Sequence, residues 1–321
     1  MITAVVLTKQ GGALLNNCLI SIQQQSVSIA NIIVVHSFPC ASQEAVEYRY
    51  TAGYKGYSHA VNIGLQNLKT EYVFVLNDDT VLDHRCVEML LQEVDQDTIV
   101  QPQIRFLDVP EKIENTGHWI FSDGFNMARG RGESITAEFD NQLLVFSGAA
   151  FLVHRKTAAD IGSFDEDLFS FGEDLDWSLR AIRLGYNIRY VSPSIVWHKL
   201  SGSHPQGGLK KGFLVERNRI CAMIRSWPRE LILRSSWYTA CRLSMMGLGM
   251  ISKENTPPDG RVFSTALGAM LGLIGSCPHM TTAYKKRKID QLRWQIDDED
   301  FIAMIQKHLP PKQKLWNPRF F

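Results

Sequence analysis

Two clusters of carboxylates are the groups in this chain best placed to do chemistry. Asn77-Asp78-Asp79 closes the apolar run Tyr72 to Leu76, and Asp165, Glu166, Asp167, Glu173, Asp174 and Asp176 crowd one short stretch further on. Carboxylates packed together repel one another and raise each other's pKa unless a cation sits among them. A divalent ion with a phosphorylated substrate meets that demand. Hard cations such as Mg2+ and Mn2+ take oxygen ligands from one or two side chains and fill the remaining positions with phosphate oxygens and water. A nucleotide-diphosphate donor fits that description. Downstream, Trp197-His198 ends a second apolar run that begins at Ser194, and a neutral imidazole can complete the same kind of shell.

Side chains that act together must be held together, and the element pattern says how. Ile2 to Leu7, Ile32 to Val35, Tyr72 to Leu76 and Thr98 to Pro102 are apolar runs of strand length. Ala13 to Gln25, Ser58 to Leu68 and Asp83 to Val94 carry helical spacing between them. Continuous apolar strands separated by helices predict a largely parallel sheet covered on both faces. In such sheets ligands bind beyond the carboxyl ends of the strands. Thr8, His36 and Asn77 to Asp79 all fall at such ends, so one crevice can collect them. A further strand, Phe151 to Val153, follows Gly148-Ala149-Ala150, and a helix with the apolar stripe Leu175, Leu179, Ile182 follows Gly172. Each feature also has an ordinary reading on its residues alone. Asn-Asp-Asp-Thr makes turns and caps helices, acidic residues suit a first helical turn, and small residues let a strand pack on a helix. Ser58 likewise reads as a helix cap, and Asp176 and Arg180, one turn apart, as a supporting ion pair.

The 321 residues allow one large or two ordinary domains, and 45% hydrophobic content suffices for a proper core. A net charge of +1 argues against nucleic acid as the main partner. The six cysteines show no CxxC spacing, which is the pattern of free thiols in a reducing compartment. MITAVVLTK lacks the basic region and cleavage site of a signal peptide, so it reads as a buried strand of a protein expected in the cytoplasm.

The order of motifs resembles the family-2 glycosyltransferases of the GT-A fold, in particular a bacterial rhamnosyltransferase-like branch that builds surface polysaccharides. The matching pieces are AVVLTKQGGALLNNCLISIQQQS, IIVVHS, GYSHAVNIGL, VFVLNDDTVL, FSGAAFLVHRKTAADIGSFDEDLFSFGEDLDWSLRAIRLGY, VWHKLSGS and the Arg217-Asn218-Arg219 triplet. They cover Thr3 to about Pro228. The resemblance implies an α/β nucleotide-diphospho-sugar transferase fold over residues 1–228, with a mostly parallel sheet flanked by helices, and a helical C-terminal extension over residues 229–321. It implies a metal-dependent inverting transfer from a dTDP- or UDP-sugar to a glycan or lipid-linked acceptor in surface polysaccharide synthesis. Asp79 and His198 become the ligands of a Mg2+ or Mn2+ ion, with Asp78 toward the ribose. Asp174 becomes the base that takes the acceptor proton, with Glu173 its neighbour and alternative. Thr8, Lys9, His36, Asn62, Gly64, Asn77, Gly148 and Ala149 line the donor, His204 is a lesser candidate, and acceptor selection falls in the middle stretch with Trp119 and Gly124 to Gly132.

One departure concerns the donor. After Ile32 to Val35 relatives carry a carboxylate that reads the base or ribose, whereas this chain has His36-Ser37-Phe38-Pro39. An imidazole nitrogen can accept a hydrogen bond from a pyrimidine N–H, but it lacks a carboxylate's charge and two-oxygen geometry. Lys9 adds a charge within reach of a phosphate.

Beyond Pro228, Leu231 to Ile251 and Val262 to Cys277 are apolar, and Lys285-Lys286-Arg287-Lys288 follows. An apolar helix flanked by basic residues fits a peripheral contact with an anionic membrane, here the inner face of the plasma membrane. A helical hairpin packed on the catalytic domain or on a second subunit fits equally, and Gly268-x-x-x-Gly272 is a packing signal compatible with both. Two rivals stand beside the transferase. A nucleotidyltransferase would show a Gly-rich phosphate loop near the start, for which Gly11-Gly12 is too little. A catalytically silent nucleotide-binding homologue or scaffold would carry the same motifs without turnover.

Overall fold

Ile2–Thr8 is buried at every position and forms strand β1; burial on both faces explains why the run lacks polar alternation. A computed structural model of the chain describes residues 1–9, 11–38, 43–199, 208–247 and 261–310. After β1 come helix α1 (Ala13–Gln23), strands β2 (Asn31–His36) and β3 (Glu47–Tyr50), helix α2 (Tyr57–Gly64), strands β4 (Tyr72–Asn77) and β5 (Thr80–Leu82), helix α3 (Cys86–Leu91) and strand β6 (Thr98–Phe106). The short strands β7 (Ile113–Asn115), β8 (His118–Ile120), β9 (Asn126–Ala128) and β10 (Gln142–Leu143) lead to β11 (Ala150–His154), α4 (Arg155–Ile161), α5 (Glu173–Arg183) and β12 (Asn187–His198). The chain then turns helical through α6 (Leu209–Ser226), α7 (Arg229–Gly247), α8 (Arg261–Asp290) and α9 (Asp298–Lys307).

The main sheet runs β10-β12-β6-β11-β4-β1-β2-β3, with β5 beside β12 and β7 beside β6. Strands β3, β2, β1 and β4 are mutually parallel, as are β6 and β12, and β11 lies antiparallel between the two groups. The register sets Thr8 opposite His36 and Leu7 opposite Asn77, so the carboxyl ends of three strands finish level with one another. This is the mixed α/β arrangement expected from the sequence.

Two compact units divide the chain. The first takes in Met1–His118, Ala128–Phe169 and Tyr186–Ser201, and holds the sheet. Its core joins Val6, Val34, Phe74 and Leu76 on the strands to Leu15, Leu19 and Ile22 on α1 and Val87 and Leu90 on α3. The second takes in Trp119–Met127, Ser170–Gly185 and Gly202–Phe321. There α6 and α8 meet through backbone, since a Cβ added to Gly212 or to Gly268 would lie 2.2 Å from a carbonyl oxygen of the other helix. Among the described residues, no helix is long and apolar enough to cross a membrane. None of the five described cysteines is in a disulfide among the described residues.

Several element ends differ from expectation for identifiable reasons. Helix α2 stops at Gly64 because the chain reaches a left-handed residue at Asn67, φ 55°, and its N-cap is Gly56, not Ser58. Helix α3 begins only at Cys86, since Asp83 first makes a turn: its carboxylate accepts from the Arg85 N–H (3.0 Å) and its carbonyl from the Cys86 N–H (2.9 Å). Strand β12 is far longer than Ser194 to Trp197 because a register shift between Val191 and Ile195 absorbs Pro193, which has no N–H to offer the ladder.

Candidate functional site

Within the first unit the level strand ends bring polar residues together. The Thr8 hydroxyl donates to the Asp78 carboxylate and accepts from the Gly11 N–H at 2.8 Å. Asp78 also donates its backbone N–H to the Leu7 carbonyl (3.1 Å), and the Asn77 N–H reaches the Ala149 carbonyl (3.0 Å). Burial pushes the Asp78 carboxyl up to about 6; the Thr8 hydroxyl and Lys9 work against that rise, and the Asp79 charge adds to it. A carboxyl balanced this way sits where a cation or a hydrogen-bonding ligand would change its charge.

Asp79 and His198 meet because of strand pairing. β5 runs antiparallel to β12 with His198 opposite Thr80, so the residue before Thr80 faces the imidazole. His198 Nε2 lies 3.0 Å from Asp79 Oδ1 and its Nδ1 lies 2.7 Å from Glu114 Oε2. Glu114 arrives from β7, which pairs with β6, itself the neighbour of β12. All three side chains are buried. Burial would lower the imidazole's pKa, but hydrogen bonds and charge from Asp79 and Glu114 outweigh it and push it up to about 10.

These residues fit a divalent ion. A carboxylate on one ring nitrogen fixes the orientation of a ligating histidine and makes it more basic, and Glu114 does this for Nδ1. That leaves Nε2 and Asp79 Oδ1 side by side, so an ion there would take the place of the shared proton. Among the described residues no group of three or more His, Cys, Asp or Glu side chains is placed to hold a metal ion by itself. A pair of protein ligands suits an ion whose other positions go to phosphate and water. Glu114 was absent from the sequence expectations: one glutamate on a short strand, 84 residues from its partner in the chain, carries no local signal.

Other expected donor residues divide into two groups. His36 places Nδ1 3.0 Å from the Phe38 carbonyl, which fixes the ring's orientation, and its ring centre lies 5.2 Å from that of Tyr50. Lys9 holds its ammonium 4.2 Å from the centre of the Tyr54 ring. Ala149 and Gly148 sit beside Asn77 at the start of β11, where a Cβ on Gly148 would come within 3.0 Å of the Tyr57 hydroxyl. Asn62 and Gly64 face elsewhere. The Asn62 amide holds the Phe164 backbone at both N–H and carbonyl and the Glu166 carboxylate, each at 2.9 Å. A Cβ on Gly64 would strike Val5 at 2.3 Å, so its bareness lets α2 lie on the sheet. Ser58 is fully buried within α2. His204, with the rest of residues 200–207, lies outside the described residues.

In the second unit, α5 opens on the acidic pair. Glu173 is buried, and that burial, with the Asp174 charge beside it, holds its carboxyl well above the usual carboxylate range. Asp174 is half-buried and accepts from the Leu175 N–H at 2.8 Å. The loop before them is strained: Phe171 has φ 66°, a region a bulky residue enters only under constraint. Asn218 on α6 supplies the constraint, donating to the carbonyls of Ser170 (3.0 Å) and Phe171 (2.6 Å). Arg217 Nε in turn donates to Asn218 Oδ1 (2.8 Å), so two members of the Arg-Asn-Arg triplet brace the acidic turn. Asp176 pairs with Arg180 at 2.9 Å and with Arg225 at 3.3 Å, which makes it a structural charge.

Among solved structures, the chain is similar to GalNAc-T7, determined with UDP, GalNAc and Mn2+, at a TM-score of 0.61 and 14% identity. The likeness covers 96% of this chain and 58% of that one. It is also similar to residues 1-349 of S. aureus TarS, at a TM-score of 0.52 and 13% identity, over 95% of this chain and 90% of that one. Identities this low speak for the fold alone. No curated protein matches the chain. Residues 72–282 match the family described as Glycosyl transferase family group 2, a stretch that carries Asp78, Asp79, Glu114, Glu173, Asp174, His198 and Asn218. Through that match the chain belongs to glycosyl transferase family group 2.

Proposed function

We propose that this family member is a metal-dependent inverting glycosyltransferase that moves a hexosyl or rhamnosyl group from a dTDP- or UDP-sugar to a glycan or lipid-linked acceptor in surface polysaccharide synthesis. The observation that carries the proposal is the clamped imidazole of His198, with Glu114 on one nitrogen and Asp79 beside the other. Asp79 and His198 would hold Mg2+ or Mn2+, which when bound offsets charge on the departing diphosphate. GalNAc-T7, a structure of similar fold, was determined with UDP and Mn2+, which supports this class of ligand.

The chain's own residues supply the rest. Asp78, anchored by Thr8, faces the ribose, and His36 offers its Nε2 to a pyrimidine N–H. Asn77, Gly148 and Ala149 border the donor sugar, and Lys9 serves a phosphate. Asp174 takes the proton of the acceptor hydroxyl as that oxygen attacks from the face opposite the leaving group. Asp174 is assigned this work over Glu173 because it is half-buried, whereas Glu173 is buried away from an acceptor and burial raises its carboxyl.

The test is turnover of a panel of nucleotide sugars with Mn2+ by wild type, Asp79→Ala and Asp174→Asn. At least one sugar should be consumed by wild type and by neither variant at a comparable rate. A protein that binds donors but turns over none is the silent homologue, and equal turnover by all three excludes these residues from the chemistry.

A further inference from the structure

Helix α8 has two faces of different use. Ala269, Gly272, Ser276, Ala283 and Arg287 fall on one side and are buried, and α6 approaches there closely enough that a Cβ on Gly272 would lie 2.5 Å from the Phe213 carbonyl. Arg287, within the basic run Lys285-Lys286-Arg287-Lys288, donates to the carbonyls of Ile224 (3.1 Å) and Trp227 (2.6 Å). Among the described residues the opposite side is uncovered. Phe263 is 72% exposed, Met270 53% and Ile274 70%, and Leu267 is exposed with them. At helical pitch these four side chains share a sector of about 60°, and Lys285 and Lys288 return to that same sector beyond Pro278. Both lysines are exposed. On α7, Leu233 and Trp237 are also exposed, on the side of that helix away from its buried Ser235, Thr239 and Arg242.

We infer that this face of α8 docks in the plane of an anionic lipid bilayer, with the aromatic and aliphatic stripe in the headgroup boundary and Lys285 and Lys288 on lipid phosphates. Exposed apolar side chains on one helical sector gain by leaving water, and no described helix can cross the membrane instead. Charge selects the partner. α8 carries no carboxylate before Asp290, which pairs with Arg225 at 2.6 Å, so a second copy of the helix laid on this face would offer the lysines no counter-charge. Anionic headgroups supply it, and an amphipathic helix of this kind settles at the acyl boundary without spanning. The inference goes beyond the proposed transferase reaction and needs neither donor nor metal.

Co-sedimentation of the full chain with vesicles tests it. Wild type should pellet with equimolar phosphatidylcholine and phosphatidylglycerol, far less with phosphatidylcholine alone, and less again as salt rises. Phe263→Ser/Ile274→Ser and Lys285→Gln/Lys288→Gln should each weaken binding on the order of tenfold or more. Their melting curves should match wild type, because the changed side chains are exposed. The inference is overturned if wild type ignores the mixed vesicles, or if either double variant that melts normally binds them as well as wild type. It is also overturned if light scattering shows a wild-type dimer that Phe263→Ser/Ile274→Ser splits.

Discussion

Glu173 and Asp174 are neighbours in sequence with opposite surroundings, and their variants should differ accordingly. Asp174→Asn removes the proposed base and should slow transfer roughly a hundredfold to ten-thousandfold, while Glu173→Gln, which keeps the size and shape of the buried side chain, should keep most activity. The same contrast appears in stability. Glu173 is raised in the fold, so its stabilising share is complete below the unfolded carboxylate pKa of about 4.3 and is lost as pH climbs toward the folded value. Melting curves should therefore show Glu173→Gln gaining on wild type as pH rises above about 4.3. At the other acidic knot, Glu114→Gln should weaken Mn2+ binding about tenfold to a hundredfold by loosening His198, read by titration calorimetry. Asp79 and His198 were legible as candidates because each ends an apolar run. Glu114 was not: its partner is reached only through β7, β6 and β12, and no spacing in the sequence announces three-strand geometry.

At the scale of elements, the strands were easier to read than the helix ends. Buried parallel strands leave unbroken apolar runs, so β1, β2 and β4 were visible together with the strand-end position of Thr8, His36 and Asn77. Helix limits depend on single backbone events, such as the left-handed Asn67 after α2 or the Asp83 turn before α3, and periodicity averages over these. The small-residue spacing of α8 did contain the answer for Arg287, which follows Ala269, Ser276 and Ala283 on the buried side; the basic run around it obscured that position. Close approaches yield firm predictions here. Gly64→Ala should cost about 1–3 kcal/mol by denaturant unfolding, since the new methyl meets Val5. Asn218→Ala removes the amide that donates to the Ser170 and Phe171 carbonyls and should cost about 1–3 kcal/mol. If its role is to hold the turn before Asp174, the variant that remains folded should lose kcat more than KM, and Asn218→Asp should not restore it, because a carboxylate has no N–H to donate.

For the molecule as a whole, composition and charge set only broad limits, and the functional reading rests on a few long-range pairings inside a common α/β frame. Residues 72–282 place it in its family, while in the proposed reading the choice of donor turns on His36, which stands where the sequence pattern would carry a carboxylate. Central to the proposed reaction is the divalent-ion site that Asp79 and His198 would form. Calorimetric titration of Mn2+ into the full chain, with and without UDP, for wild type, Asp79→Ala and His198→Ala addresses it most directly. Wild type should bind one ion with an affinity that UDP raises, and each variant should lose both the binding and the enhancement. Equal binding by wild type and His198→Ala, or Mn2+ binding by wild type that UDP leaves unchanged, would contradict a metal site built from these two side chains.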